Sequence, residues 1–174
     1  MQGLRLIFSP AGRLPPHIFI VAAVLVYLAG IASHWLTTPD VVVRAGLWPF
    51  LAVQIALIWI WYALHAKRLR DGGQGTGLAA GVSLLYALSV ALLVIVAASF
   101  YGALAGDGHD ANAASALGLI LLVSIITMLA GSPHHDVGWF IVVILVLIAL
   151  VPIALAAVTT VWAYTRPSTA RPAA

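Results

Sequence analysis

VGWFIVVILVLIALVPIALAAVTTVWAY, residues 137–164, carries no charged side chain. An α-helix rises 1.5 Å per residue, so about 20 apolar residues cross the hydrocarbon core of a bilayer. This stretch is long enough to cross with tilt. A soluble domain has no use for such a run, and its reading decides the rest of the chain.

Four more apolar segments precede it, at about 17–35, 48–65, 78–104 and 113–130. The segment at 113–130 is the shortest and only just long enough to span. Helix punctuation agrees with these boundaries. Pro15-Pro16 precedes the first segment, and Pro49 sits in the first turn of the second, where no backbone donor is missed. Gly72-Gly73 reads as a stop after the second, and Ser132-Pro133 as the start of the fifth, with Asp136 near the positive dipole end. Trp35, Trp48, Trp59, Tyr101, Trp139, Trp162 and Tyr164 fall near segment ends, at the depth that amphipathic rings prefer. The fold class is therefore all-α: a polytopic bundle of five transmembrane spans in one domain, residues 1–166. Residues 167–174, rich in Pro and Ala, form a disordered tail. The alternative is four spans with 113–130 re-entrant.

Composition supports this. Of the 174 residues 63% are hydrophobic and 7% charged, against roughly 25% charged in a soluble domain. Cys is absent, which excludes disulfides and thiolate chemistry. A net charge of +3 makes no continuous basic face, so nucleic acid is not an expected partner. The bilayer is, together with other membrane-protein subunits. Arg5 and Arg13 precede the first span, which we read as uncleaved, and Lys67, Arg68 and Arg70 follow the second. By the positive-inside rule both groups face the cytoplasm, and the N-terminus with them. Five spans leave Arg166 and Arg171 outside, against that rule; four return them inside.

The polar inventory within the spans is small. Gln54 is the one amide at depth and is expected to bond across to another helix. Ser83, Ser89, Thr159 and Thr160 are among the hydroxyls. No ionisable group falls in a span centre, which disfavours ion-coupled transport. Ala79, Ser83, Ala87 and Ala91 recur every four residues and give a small-residue stripe for helix packing. At the cytoplasmic face, Arg13, Arg68, Arg70 and Asp71 are candidates for a structural clamp or interaction site. Asp71 is expected to pair with Arg13, with Arg68 three residues away on the same helix end. The six His residues sit at span ends or in loops, and Asp107-Gly108-His109-Asp110 has oxygen and nitrogen donors. Both read as amphipathic or loop composition, with no cofactor and no metal expected.

Two segments resemble those of a known family. Phe8-Ser9-Pro10-Ala11-Gly12-Arg13-Leu14 resembles the F-S-x-x-G-R-I opening of a widespread bacterial membrane family, and Lys67-Arg68-Leu69-Arg70-Asp71-Gly72-Gly73 resembles its R-R-L-H-D-x-G segment. The family is the one known as domain of unknown function 805, of small inner-membrane proteins. The likeness covers about residues 4–105. This chain departs from the pattern at Arg70, where the family has His, at Gly75-Thr76-Gly77 in place of S-G-W, and at Pro16 in place of a second basic residue. The resemblance implies a multi-pass protein of the bacterial inner membrane and no established activity.

No Ser/His/Asp array, phosphate loop or carboxylate pair is legible. The leading expectation is an accessory or scaffolding subunit acting through helix contacts. The alternatives are a small transporter or channel for an uncharged or lipid-like solute, and a haem- or metal-binding redox subunit.

Overall fold

The computed structural model describes residues 10–105 and 135–168, with side chains described over 10–98 and 143–168. The expected fourth span, the Asp107–Asp110 loop and the Ser132-Pro133 cap lie outside the described residues, as does the tail from residue 169. Among the described residues every element is helical. The elements are α1 (Pro16–Ser33), a 3-10 turn (His34–Thr37), α2 (Pro39–Ala45), α3 (Trp48–Asp71), α4 (Gly77–Ala105) and α5 (His135–Thr165). Four stretches are long and apolar enough to cross a membrane: Pro16–Thr37, Trp48–Asp71, Gly77–Ala98 and Val143–Thr165. The chain is thus an integral membrane protein by length and composition of its helices.

Local chemistry sets the helix boundaries. Pro15, in extended conformation, precedes Pro16 in the first turn of α1. The short α2 was not expected from the sequence. It opens at Thr38-Pro39, carries Asp40 in its first turn and Arg44 in its last, and ends at Gly46 with φ 62, so both charges complement the helix dipole. The helix α3 runs past the expected boundary at residue 65 to Asp71. Lys67, Arg68 and Arg70 leave the apolar window but favour helix, and the stop comes only at Gly72-Gly73. There the amide of Gln74 donates to the Leu69 carbonyl at 2.8 Å and that of Gly73 to the Arg70 carbonyl at 3.1 Å. With Gly73 at φ 72 this is a Schellman ending.

The described residues fall into two units, one drawn from Met1–Ala87 and Ile153–Ala174, the other from Leu88–Pro152. In the first, α1 and α3 are antiparallel: Phe19 meets His65, and His34 meets Phe50. Its core gathers Leu14, Phe19, Trp61, Leu64, Leu69, Ala79, Ala156 and Ala163. Val21, Leu25, Leu28 and Ile31 form the exposed face of α1, while Phe19, Ala23 and Ser33 face inward. With lipid as solvent, large aliphatics belong outside, and small or polar residues at helix contacts. The second unit consists, among described residues, of the adjoining halves of α4 and α5. It shows exposed Leu88, Leu92, Ile95, Val146 and Leu150, with Pro152 buried inside α5.

Gly73 and Gly81 test the backbone argument with opposite signs. Gly73→Ala forces an L-residue into the left-handed region and is expected to cost about 1–2 kcal/mol. At Gly81, in the interior of α4, an added Cβ meets nothing within 4 Å, so Gly81→Ala is expected to gain roughly 0.5–1 kcal/mol. Thermal unfolding in detergent reads both.

Candidate functional site

Three polar clusters lie along the first unit. The first is built on Arg68, which is fully buried on the last turns of α3. A buried guanidinium needs acceptors for five N–H donors. Nε donates to the Ala163 carbonyl at 3.0 Å. Nη1 donates to Asp71 Oδ2 at 2.6 Å and to Ser168 Oγ at 3.2 Å. Nη2 donates to the Tyr164 carbonyl at 3.3 Å and to that of Arg166. Five donors meet five acceptors. The Ala163 and Tyr164 carbonyls belong to the last turn of α5, where no intrahelical donor remains. Arg68 therefore caps α5 from α3, and its charge sits at the negative end of that helix dipole. Ser168 also donates to Asp71.

The expected pairing of Asp71 with Arg13 is not what the structure shows. Asp71 forms its ion pair with Arg68, three residues earlier on the same helix, and Arg13 is exposed. The N-terminal segment is held instead by Arg70, which donates to the Pro10 carbonyl, and by Leu14, buried with Leu69 in the core. Ser168, assigned from composition to a disordered tail, is placed against Asp71.

The second cluster centres on His65. Its ring stacks on Trp61, with centroids 3.6 Å apart, and meets Phe19 edge-on at 5.0 Å. Nδ1 lies 2.8 Å from the Trp61 carbonyl, which can only accept, so Nδ1 carries a hydrogen. Nε2 lies 2.8 Å from Thr160 Oγ1. Tyr27 Oη is 2.8 Å from the same Thr160 oxygen and accepts from Trp61 Nε1 at 3.2 Å. Thr160 Oγ1 also donates to the Ala156 carbonyl at 2.8 Å, so the hydrogens run from indole to phenol and from phenol to Thr160, whose single hydrogen lies between that carbonyl and His65 Nε2. Both ring nitrogens are engaged, which leaves neither for a metal. Among the described residues no group of three His, Asp or Glu side chains converges. The sequence reading missed this cluster by treating His65 as an interfacial residue. The available signal was the i, i+4 pair Trp61 and His65 with the adjacent Thr159-Thr160 in an otherwise apolar helix.

The third cluster lies toward the opposite end. Gln54 Nε2 donates to Ser33 Oγ on α1 at 2.9 Å, and Ser33 donates to the Gly30 carbonyl at 2.6 Å. Tyr86 on α4 reaches Gln54 Oε1 at 3.5 Å. Beside it opens a cavity of about 210 Å³ lined by residues of α1, α3, α4 and α5. Of the small-residue stripe, Ala79 is buried in the core, Ser83 and Ala87 are half-buried, and Ala91 is exposed.

No protein-family model, curated protein or solved structure matches the chain.

The clamp has a direct test. Arg68→Met removes the Arg68 cation from Asp71 and the side-chain donors from the α5 carbonyls, and is expected to cost about 3–5 kcal/mol. Arg68→Lys restores only part of that, because three donors on a point charge cannot replace a planar fork of five. Thermal unfolding of the detergent-solubilised variants orders them wild type, Lys, Met.

Proposed function

We propose that this chain is a non-catalytic subunit of a bacterial inner-membrane complex, acting through helix contacts as an accessory or scaffolding component. One observation carries the reading. The buried groups best suited to chemistry, His65, Arg68 and Asp71, are engaged in joining the chain's own helices, while the exposed faces of its spans are aliphatic. An activated base or nucleophile needs a free atom facing a substrate. Neither ring nitrogen of His65 and no donor of Arg68 has that freedom. Mild extraction into nanodiscs is expected to yield a particle larger than one chain with a reproducible companion polypeptide. A stable, solitary monomer overturns the proposal.

The resemblance to the family of small inner-membrane proteins supports the location. Its two motif segments, far apart in sequence, touch through Arg70 and Pro10, and Leu14 and Leu69 belong to one core.

We further propose four net crossings with both termini cytoplasmic. The support is parity. The start of α4 follows directly on the Arg68 turn, and the end of α5 is bonded to Arg68 itself. Two helix ends at one membrane face imply an even number of crossings between them, which α4 and α5 supply. Every Lys and Arg other than Arg44 then falls on the cytoplasmic side, as the positive-inside rule asks. The absence of Cys makes the check clean. Ala11→Cys and Pro167→Cys are expected to react with an impermeant maleimide from one side of the membrane, and Asp40→Cys from the other. Labelling of Ala11→Cys and Pro167→Cys from opposite sides overturns the topology.

A further inference from the structure

The polar groups at Arg68 and His65 have their partners within the chain; around the cavity one buried hydroxyl does not. Among the described residues, Ser83 Oγ is the one buried side-chain polar atom without a hydrogen-bond partner, and Ser83 lines the cavity. An unbonded buried hydroxyl is costly, and its usual remedy is a partner from outside the chain, a water or a ligand. Gln54 lines the same space and gives only one of its two amide hydrogens to Ser33. Both residues line one chamber.

The rest of the wall narrows what fits. Tyr27, Trp61 and Tyr86 contribute aromatic surface, exposed His34 adds an imidazole, and the other residues are mainly aliphatic. Among the lining side chains none is Asp, Glu, Lys or Arg. Exposed Ile31 and Ile153 lie among the lining residues, so the chamber has an apolar edge on the outer face of the spans. A cavity of about 150 Å³ takes a benzene ring; 210 Å³ has room for about eight to ten non-hydrogen atoms by the same scale.

We propose that this cavity binds an uncharged ring bearing one or two carbonyl or hydroxyl oxygens, which accept from Ser83 and Gln54 while the ring packs on Trp61 and Tyr86. That chemistry belongs to the headgroup of a membrane quinone, whose tail leaves past Ile31 and Ile153, and equally to a small water-soluble phenol or quinone. The inference goes beyond the helix-contact reading and does not depend on it.

The test uses the full chain in lipid nanodiscs, with methyl-1,4-benzoquinone as a tail-free probe that fits this volume, toluene as its oxygen-free control and empty nanodiscs as reference. Calorimetric titration is expected to show saturable binding of one methyl-1,4-benzoquinone per chain and weaker binding of toluene. Ser83→Ala, which removes one donor, is expected to weaken methyl-1,4-benzoquinone about tenfold. Gly30 lines the cavity with nothing within 4 Å of an added Cβ, so Gly30→Leu fills the chamber and abolishes binding. Thermal unfolding establishes that each variant is folded, and Ser83→Ala stands alone should Gly30→Leu fail to fold. Organic extraction of the purified chain separates the sources. A quinone retained at about one per chain assigns the site to a membrane lipid; probe binding with none retained assigns it to a soluble ring. Partition equal to that of empty nanodiscs, or wild-type affinity in folded Ser83→Ala, overturns the proposal.

Discussion

A guanidinium withdrawn from water at the edge of a bilayer must find its hydrogen-bond acceptors in the protein, and the architecture of this chain turns on how Arg68 does so. Water is not available to complete an imperfect set, so the acceptors have to be in place together. They come from α3 itself through Asp71, from the last turn of α5, and from the segment beyond it. One side chain thereby fixes which end of α5 lies beside which end of α3. A buried ion pair alone is weak support for stability. Here the pair is one of five bonds, and two of the others satisfy carbonyls that the end of α5 leaves open.

The His65 cluster extends the same logic one turn deeper. Imidazole, phenol, indole and hydroxyl from α1, α3 and α5 saturate one another, so the three helices have little freedom to slide or rotate. Between helices in lipid there is no hydrophobic force to choose a register. Polar matching of this kind supplies one. The Gln54 cluster differs in lying beside a chamber and in leaving Ser83 Oγ without a partner, which separates a place held rigid from a place kept open.

Much of this architecture was legible in the sequence, and the reasons for the rest are specific. The described spans follow from uncharged runs bounded by Pro and Gly. The α2 helix escaped because seven residues are too few for periodicity to register, although Thr38-Pro39 and Gly46 marked its ends. Hydropathy located the crossing of α3 but not its end, since Lys67 to Asp71 are helix-compatible yet polar. That error moved His65 from the interior to an apparent edge. The i, i+3 spacing of Arg68 and Asp71 was visible. The remaining acceptors of Arg68 were not, because a backbone carbonyl has no residue-type signature. Pairing Asp71 with Arg13 failed for a related reason: sequence shows which charges share a face, not which neutral acceptors compete for them.

The acceptors of Arg68 also set an order of events in biosynthesis. Ala163 is made 95 residues after Arg68, and Ser168 later still. While the chain emerges, α3 must wait in the membrane with its cation served by headgroups or water. The helices can enter one by one, but the last turn of α3 is locked only when the final span has arrived. Residues 163–168 thus close on α3 only after α5 is made, and a product cut short of them carries an arginine whose inward donors lack those acceptors.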